Sequence, residues 1–339
     1  MKKSEMIETG QWWTDSLNVS IGCTKISPAC DGCYAEKAAA RLAEIENARF
    51  EEIMQYAPPG ESTFGRIYSD GIIRNGCWTG KIKLLPERLE RPLHWRNPRI
   101  IFVDSMSDLF HKDVPFEFID KVMATIALCP QHTFLVLTKR IERASEYFDG
   151  LNQDVQYRNE VFGLDAITAD EDWPSKNLWL GCTPAFGVTG HPPAPHTVPD
   201  NSRTDTKPED IATLLQIPAA KHFVSLEPML REWALDSLTG YHSCIDSLRG
   251  NRSESDADGN ITTDKCEKLD WVVVGAETGP KARYCPIEWI EDVVEQCKAA
   301  GVPVWVKAIH TGTADKFKQV HKFAELPESV RVRQSPFIK

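Results

Sequence analysis

The feature that most constrains the fold is a pattern of short apolar runs in the later two thirds of the chain. Six of them recur with polar tails and helical stretches between: Ile100-Ile-Phe-Val103, Thr133-Phe-Leu-Val-Leu137, Leu178-Trp-Leu180, His222-Phe-Val-Ser225, Trp271-Val-Val-Val274 and Val302-Pro-Val-Trp-Val306. They are apolar at nearly every position and rich in β-branched and aromatic residues, as parallel strands covered on both faces are. Stretches such as 116–128 and 287–300 read as the intervening helices, the latter ending at Gly301 in the C′ position. With a further strand leading into Cys23, about seven βα units are expected. The predicted fold class is therefore α/β, a full or partial (βα) TIM-like barrel with long loop insertions. An open doubly wound sheet is the competing arrangement, but no G-x-G-x-x-G follows an early strand.

A chain of 339 residues that is 42% hydrophobic can bury a large core. One barrel domain over 1–339 is expected, with insertions at about 58–99, 184–207 and 237–269. No apolar run approaches the ~20 residues that span a bilayer. The N-terminus lacks the apolar stretch of a secretory signal, so a cytoplasmic protein without membrane contact is expected. The ten cysteines are scattered singly apart from one trio, unlike a disulfide framework. Cys129, Cys182 and Cys297 sit in apolar surroundings and read as core thiols. The net charge of −10 argues against a surface that holds nucleic acid by charge alone. Lys81, Lys83, Arg88, Arg91, Arg96 and Arg99 still supply either a local basic groove or a solvated basic face.

Along the chain, Trp12-Trp13 is expected to pack across the barrel floor or lid rather than to stack on a base. Residues 35–57 are Ala- and Glu-rich and read as a helix stopped by Pro58-Pro59-Gly60. Residues 58–99 read as an excursion over the barrel. It contains Cys77, either a distant metal ligand or a plain thiol in a turn. Residues 184–207 read as a lid or surface loop, in which His191 and His196 are the metal-ligating alternative. In the polar insertion 237–269, Asp256-Ala-Asp-Gly-Asn260 with Glu267 imitates a calcium loop but has Ile261 where that loop needs glycine.

The chemistry is concentrated in Cys23, Cys30 and Cys33, three thiols within eleven residues. Gly22 and Gly32 permit unusual backbone and Pro28 stiffens the longer span. No fourth Cys or His stands at ligand spacing nearby, so a metal centre here keeps one position open. Three thiolates of an iron–sulfur cubane, a zinc site completed by Cys77 or a histidine, and a cluster of reduced thiols in a binding protein all remain compatible with the spacing. The strand tails Asp104–Asp108, Thr138–Arg140, Gly181–Thr183, Leu226–Met229, Gly275–Pro280 and Lys307–His310 bring acids, hydroxyls and lysines to the same rim. That rim is where such barrels carry out chemistry.

The trio, its place after a first strand and the βα repeat resemble radical S-adenosylmethionine enzymes. The chain is more closely similar to a phage- and prophage-associated family of radical-SAM-like proteins with a three-cysteine motif, whose activity is not settled. The resemblance rests on Trp13-Thr-Asp15, the stretch Gly22 to Glu36, Pro86-Glu-Arg-Leu89, Asp104-Ser-Met-Ser-Asp-Leu-Phe-His111, Leu137-Thr-Lys-Arg140, Leu226-Glu-Pro228 and Gly275-Ala-Glu-Thr-Gly279. Two departures from the wider superfamily stand out. Six residues rather than three separate Cys23 from Cys30, and Gly32 stands where an aromatic usually precedes the third cysteine, with Tyr34 following it.

The resemblance implies a radical-SAM-like barrel in which Cys23, Cys30 and Cys33 hold a [4Fe-4S] cluster and S-adenosylmethionine chelates the open iron. Reductive cleavage to a 5′-deoxyadenosyl radical would then initiate an isomerase-, mutase- or lyase-type reaction. It places Asp104, Ser105 and Met106 at the methionyl amino group, Ser107, Thr138 and Lys139 at the ribose and carboxylate, and Tyr34 against the adenine. Glu227, Glu277 and Lys307 would face substrate or form rim ion pairs. A flavodoxin- or ferredoxin-type electron donor and a substrate that is a nucleotide or a DNA base are implied. The alternative is a non-catalytic zinc- or iron–sulfur-binding partner in a phage-related system.

Overall fold

The computed structural model of the chain describes residues 3–56, 66–153, 175–184, 209–239, 243–255 and 261–337. Seven parallel strands form one sheet whose spatial order is their order in the chain. They are β1 (Asp15–Leu17), β2 (Ile100–Val103), β3 (Thr133–Thr138), β4 (Leu178–Cys182), β5 (Lys221–Leu226), β6 (Trp271–Val274) and β7 (Val304–Val306). A doubly wound sheet reverses its strand order at a switch point. This one never reverses, and it curls into a half-barrel with β1 and β7 as its edges.

Strand alternation sorts the side chains into two cores. One face carries Ile101, Val103, Phe134, Val136, Leu180, Val224, Val272 and Val304, and the helices cover it. These are α3 (Phe116–Ala127), α4 (Ile141–Gln153), α5 (Glu209–Leu214) and α6 (Ile287–Ala300), while α1 (Lys3–Thr9) and α2 (Tyr34–Tyr56) lie elsewhere in the chain order. Helix α3 shows the helical spacing that drives this, burying Phe118, Ile119, Val122, Met123 and Ile126 on one stripe. The other face carries Phe102, Leu135, Trp179, Phe223, Trp271, Val273 and Trp305. Trp12 enters this inner layer with ring centroids 5.2 Å from Phe102, 5.7 Å from Phe223 and 5.5 Å from Trp271. The interior is thus filled by aromatic rings. Residues of the first segment cap it, as expected of Trp12.

Two sequence expectations change. No helix joins β5 to β6 among the described residues. That crossover contains a four-stranded antiparallel sheet of Leu238–Thr239, Ser243–Asp246, Asn251–Ser255 and Ile261–Lys265, whose last strand is exposed throughout. The last barrel strand begins at Val304, not Val302, because the Val302 amide turns back to Cys297 O at the end of α6. The insertion 58–99 contains a hairpin, Ile73–Arg74 with Cys77–Trp78, and the strand Lys83–Leu84. The calcium-like turn at 256–260, His191 and His196 lie outside the described residues. Among the described residues no helix is long and apolar enough to cross a membrane.

Candidate metal centre at the barrel mouth

After β1 the chain forms a two-residue strand, Ser20–Ile21, which pairs antiparallel with Lys83–Leu84 and lifts the cysteine loop above the sheet. Gly22 turns the chain into the loop at φ +108°, and a Cβ there would meet Lys81 O at 2.1 Å. A 3₁₀ turn, Pro28–Cys30, follows, and α2 starts immediately after Cys33. Gly32 does not adopt a positive φ. It serves space instead: a Cβ at this position would lie 1.8 Å from Glu277 Oε1.

The loop is held by charged side chains from three directions. The Lys25 ammonium pairs with Glu36 at 2.7 Å, and the other Glu36 oxygen accepts the Trp78 amide at 3.0 Å. The Arg283 guanidinium binds both Glu277 oxygens at 2.8 and 2.9 Å and donates to Pro28 O at 2.9 Å. Arg140 pairs with Asp108 at 2.7 Å, donates to Thr24 O and Thr24 Oγ1 at 3.0 Å, and lies 3.9 Å from Cys23 Sγ. His111, fully buried, also contacts Thr24 Oγ1 at 2.9 Å. Its Nδ1 accepts the Asp113 amide, so the proton sits on Nε2. Burial, with the Arg140 charge, pushes this imidazole down to about 4 and keeps it neutral.

All three thiols of the loop are free, Cys30 buried and Cys23 and Cys33 half-buried. Burial drives the Cys23 thiol up to about 11 against the opposing Arg140 charge. Burial also raises Cys30, but the Lys139 ammonium and hydrogen bonds from the Ile26–Ser27 segment outweigh it, and its net shift is downward.

The tail Asp104-Ser105-Met106 has a structural task. Asp104 sits at φ +53° and turns its carboxylate inward, where Oδ1 accepts the amides of Val19 and Ser20 at 2.8 Å and Oδ2 the Ser20 hydroxyl at 2.7 Å. Ser105 Oγ donates to Asn18 at 3.1 Å, and Met106 packs on Ala35 and Ala39. The carbonyls of Asp104, Ser105 and Met106 accept Ser107 N, Tyr34 Oη and Gly22 N. Ser107 Oγ donates to Gly22 O and Thr138 Oγ1 to Asp108. The Asp104 carboxylate, the hydroxyl protons and one lone pair of each carbonyl of this tail are engaged in building the loop.

Tyr34, Lys139 and the pair Glu227–Lys307 each keep some exposure to solvent. Tyr34 is 52% exposed, yet enough protein surrounds its phenol to push its pKa up by desolvation. The Lys139 ammonium has no hydrogen-bonded or ion-pair partner among the described residues. Glu227 and Lys307 follow β5 and β7, which are not neighbours, and meet at 3.2 Å across Gly275, whose Cβ would sit 2.8 Å from Glu227 Oε1. The Lys307 ammonium stands 5.9 Å from the Tyr34 ring centroid. Glu277, expected beside them, is instead 6% exposed and held by Arg283, whose hydrogen bonds and charge overcome burial to depress its pKa. It supports the loop rather than the substrate space.

Asp108, Arg140, His111, Arg283 and Asn18 were absent from the sequence-derived site. Asp108 and Arg140 stand in the polar strand tails, so their position was readable along the chain, but their pairing joins residues 32 apart. The chemistry of the donor set is the kind an iron–sulfur cubane takes: three free thiols on a loop ordered by other contacts. Among the described residues no three His, Cys, Asp or Glu side chains converge on a single-ion position. A cubane does not require that, since each thiolate takes a different iron. Cys77 is exposed on the hairpin.

No curated protein and no solved structure matches the chain. One family profile, described as a protein of unknown function (DUF5131), matches residues 8–326, from α1 past β7 and including the cysteine loop and every strand tail. The chain belongs to the DUF5131 family.

Proposed function

We propose that the protein is a radical S-adenosylmethionine enzyme on a radical-SAM-like partial barrel, with a [4Fe-4S] cluster held by Cys23, Cys30 and Cys33. The observation that carries this reading is the loop itself. Three ion pairs and the Asp104 clamp order it above the C-terminal strand ends, and none of them uses up a thiol. The cluster with bound S-adenosylmethionine would supply a carbon radical able to take hydrogen from substrate. The chain's own residues hold and orient. Tyr34 offers a ring face to the adenine, Lys139 an unpaired cation to the methionyl carboxylate, and Lys307 and Glu227 a cation and an anion to substrate. A flavodoxin- or ferredoxin-type donor supplies the electron.

The substrate we propose is a nucleotide or a DNA base. Lys81, exposed and with its carbonyl against Gly22 of the cysteine loop, and Arg74, exposed on the Ile73–Trp78 hairpin, have no carboxylate partner among the described residues and support an anionic substrate despite the overall charge of −10. A base within a duplex must be flipped out to reach the mouth.

Anaerobic purification with iron and sulfide analysis tests the reading first. About four irons per chain support it, and stoichiometric zinc without iron overturns it. Incubation with dithionite and S-adenosylmethionine then yields 5′-deoxyadenosine from a cluster-loaded enzyme. Nucleoside mass spectrometry of DNA from cells with and without the gene identifies the substrate.

A further inference from the structure

The Asp108–Arg140 pair is more elaborate than an ion pair at the end of a strand requires. Asp108 is 6% exposed and its carboxylate accepts four hydrogen bonds. Oδ1 takes Phe110 N at 3.0 Å and Thr138 Oγ1 at 2.8 Å, while Oδ2 takes Lys139 N at 3.1 Å and Arg140 Nη1 at 2.7 Å. A carboxylate so saturated is fixed in place, and it fixes the guanidinium in turn. Both Nη1 and Nη2 of Arg140 lie 3.9 Å from Cys23 Sγ. Among the described residues Cys23 is the one loop thiol within hydrogen-bond reach of a cation. Cys30 contacts the Ser27 hydroxyl at 3.6 Å instead. The same guanidinium donates to Thr24 O and Thr24 Oγ1 at 3.0 Å, so one buried ion pair both holds the loop and faces the sulfur.

We propose that Arg140, oriented by Asp108, positions the Cys23 thiolate and sets the reduction potential of the cluster. The inference rests on the iron–sulfur reading above. Reduction adds negative charge to the cluster and its sulfur ligands. A guanidinium donating to one of those sulfurs therefore stabilises the reduced form more than the oxidised form, and raises the potential. Arg140 is a positioning residue: its planar fork spans Asp108, Thr24 and Cys23 together, which a lysine cannot do.

The test uses the full-length chain, reconstituted anaerobically with iron and sulfide, as wild type, Arg140→Leu and Arg140→Lys. The readouts are iron content and an EPR-monitored redox titration. Arg140→Leu is expected to lose part of its iron with its Thr24 contacts, and in the fraction that stays loaded to become harder to reduce by at least tenfold in the reduction equilibrium constant, a negative shift of about 59 mV for one electron. Arg140→Lys is expected to fall between the two, because it retains charge but not the fork. An unchanged potential in Arg140→Leu with iron retained overturns the proposal. If Arg140→Leu takes up no cluster, Arg140→Lys decides alone: a negative shift supports the assignment and a wild-type potential overturns it. A wild type that takes up no iron overturns the underlying reading instead, so the two failures are distinguishable.

Discussion

Replacing Asp104 with Asn and with Ala separates the two jobs of a buried carboxylate. Its side chain accepts the amides of Val19 and Ser20 and the Ser20 hydroxyl, all at positions shut off from solvent. Alanine leaves these three groups without a partner. At about 1–3 kcal/mol for each buried orphan, the loss is at least about 3 kcal/mol, a large part of the ~5–15 kcal/mol that holds a typical domain. Asparagine keeps Oδ1 for both amides and brings an NH₂ to the Ser20 hydroxyl, so the cost is expected to be under about 1 kcal/mol at low pH. The pH dependence is the sharper part. Burial, with the nearby Asp108 charge, pushes Asp104 up to about 7 from its usual 3.8. Between those values the unfolded chain has lost the proton that the folded chain still holds, so wild-type stability falls as pH rises. The slope is about 1.4 kcal/mol per pH unit. Asparagine does not titrate, and Asp104→Asn should gain on wild type from pH 4 to pH 7 and then stay level. Buried His111 acts with the opposite sign over part of that range but is common to both proteins and cancels in the difference. Urea unfolding of both proteins at half-unit steps from pH 4 to 8 measures this. A difference that stays flat across the series would refute the placement of this carboxylate.

Cys30→Ala is expected to abolish iron uptake and 5′-deoxyadenosine formation, whereas Cys77→Ala, on its exposed hairpin, leaves both unchanged; loss of metal in Cys77→Ala would favour a four-ligand zinc site. Gly32→Ala places a methyl group 1.8 Å from Glu277 Oε1 and so must displace the Arg283 bridge to Pro28. The expected cost is about 1–3 kcal/mol in thermal unfolding, with iron retention at least halved, and normal values of both would contradict the packing described. Trp271→Ala empties the centre of the aromatic layer and is expected to cost about 3–5 kcal/mol. Chemical denaturation measures it, and a loss below 1 kcal/mol would mean that the interior is not filled as described.

The sequence by itself determined the strands and their parallel class. Residues such as Trp271-Val-Val-Val274 are apolar on consecutive positions, and a run this short that is β-branched and aromatic reads as a strand covered on both faces. It also determined where chemistry stands, because the tails after those runs are polar and the three cysteines are close in sequence. Spacing could not reveal which polar groups are spent on architecture. Asp104, Ser107, Thr138 and Glu277 all look unpartnered when read along the chain, yet each is bonded to a partner brought in by the fold, as Asp104 is to Ser20 across 84 residues. The role of Gly32 was hidden for the same reason: its constraint is the carboxylate of Glu277, not its own backbone angle. Periodicity records how a residue meets the core, through a local repeat. Hydrogen bonds between strand ends depend on register and curl, and the tertiary structure alone decides which side chains remain open at the mouth of the half-barrel.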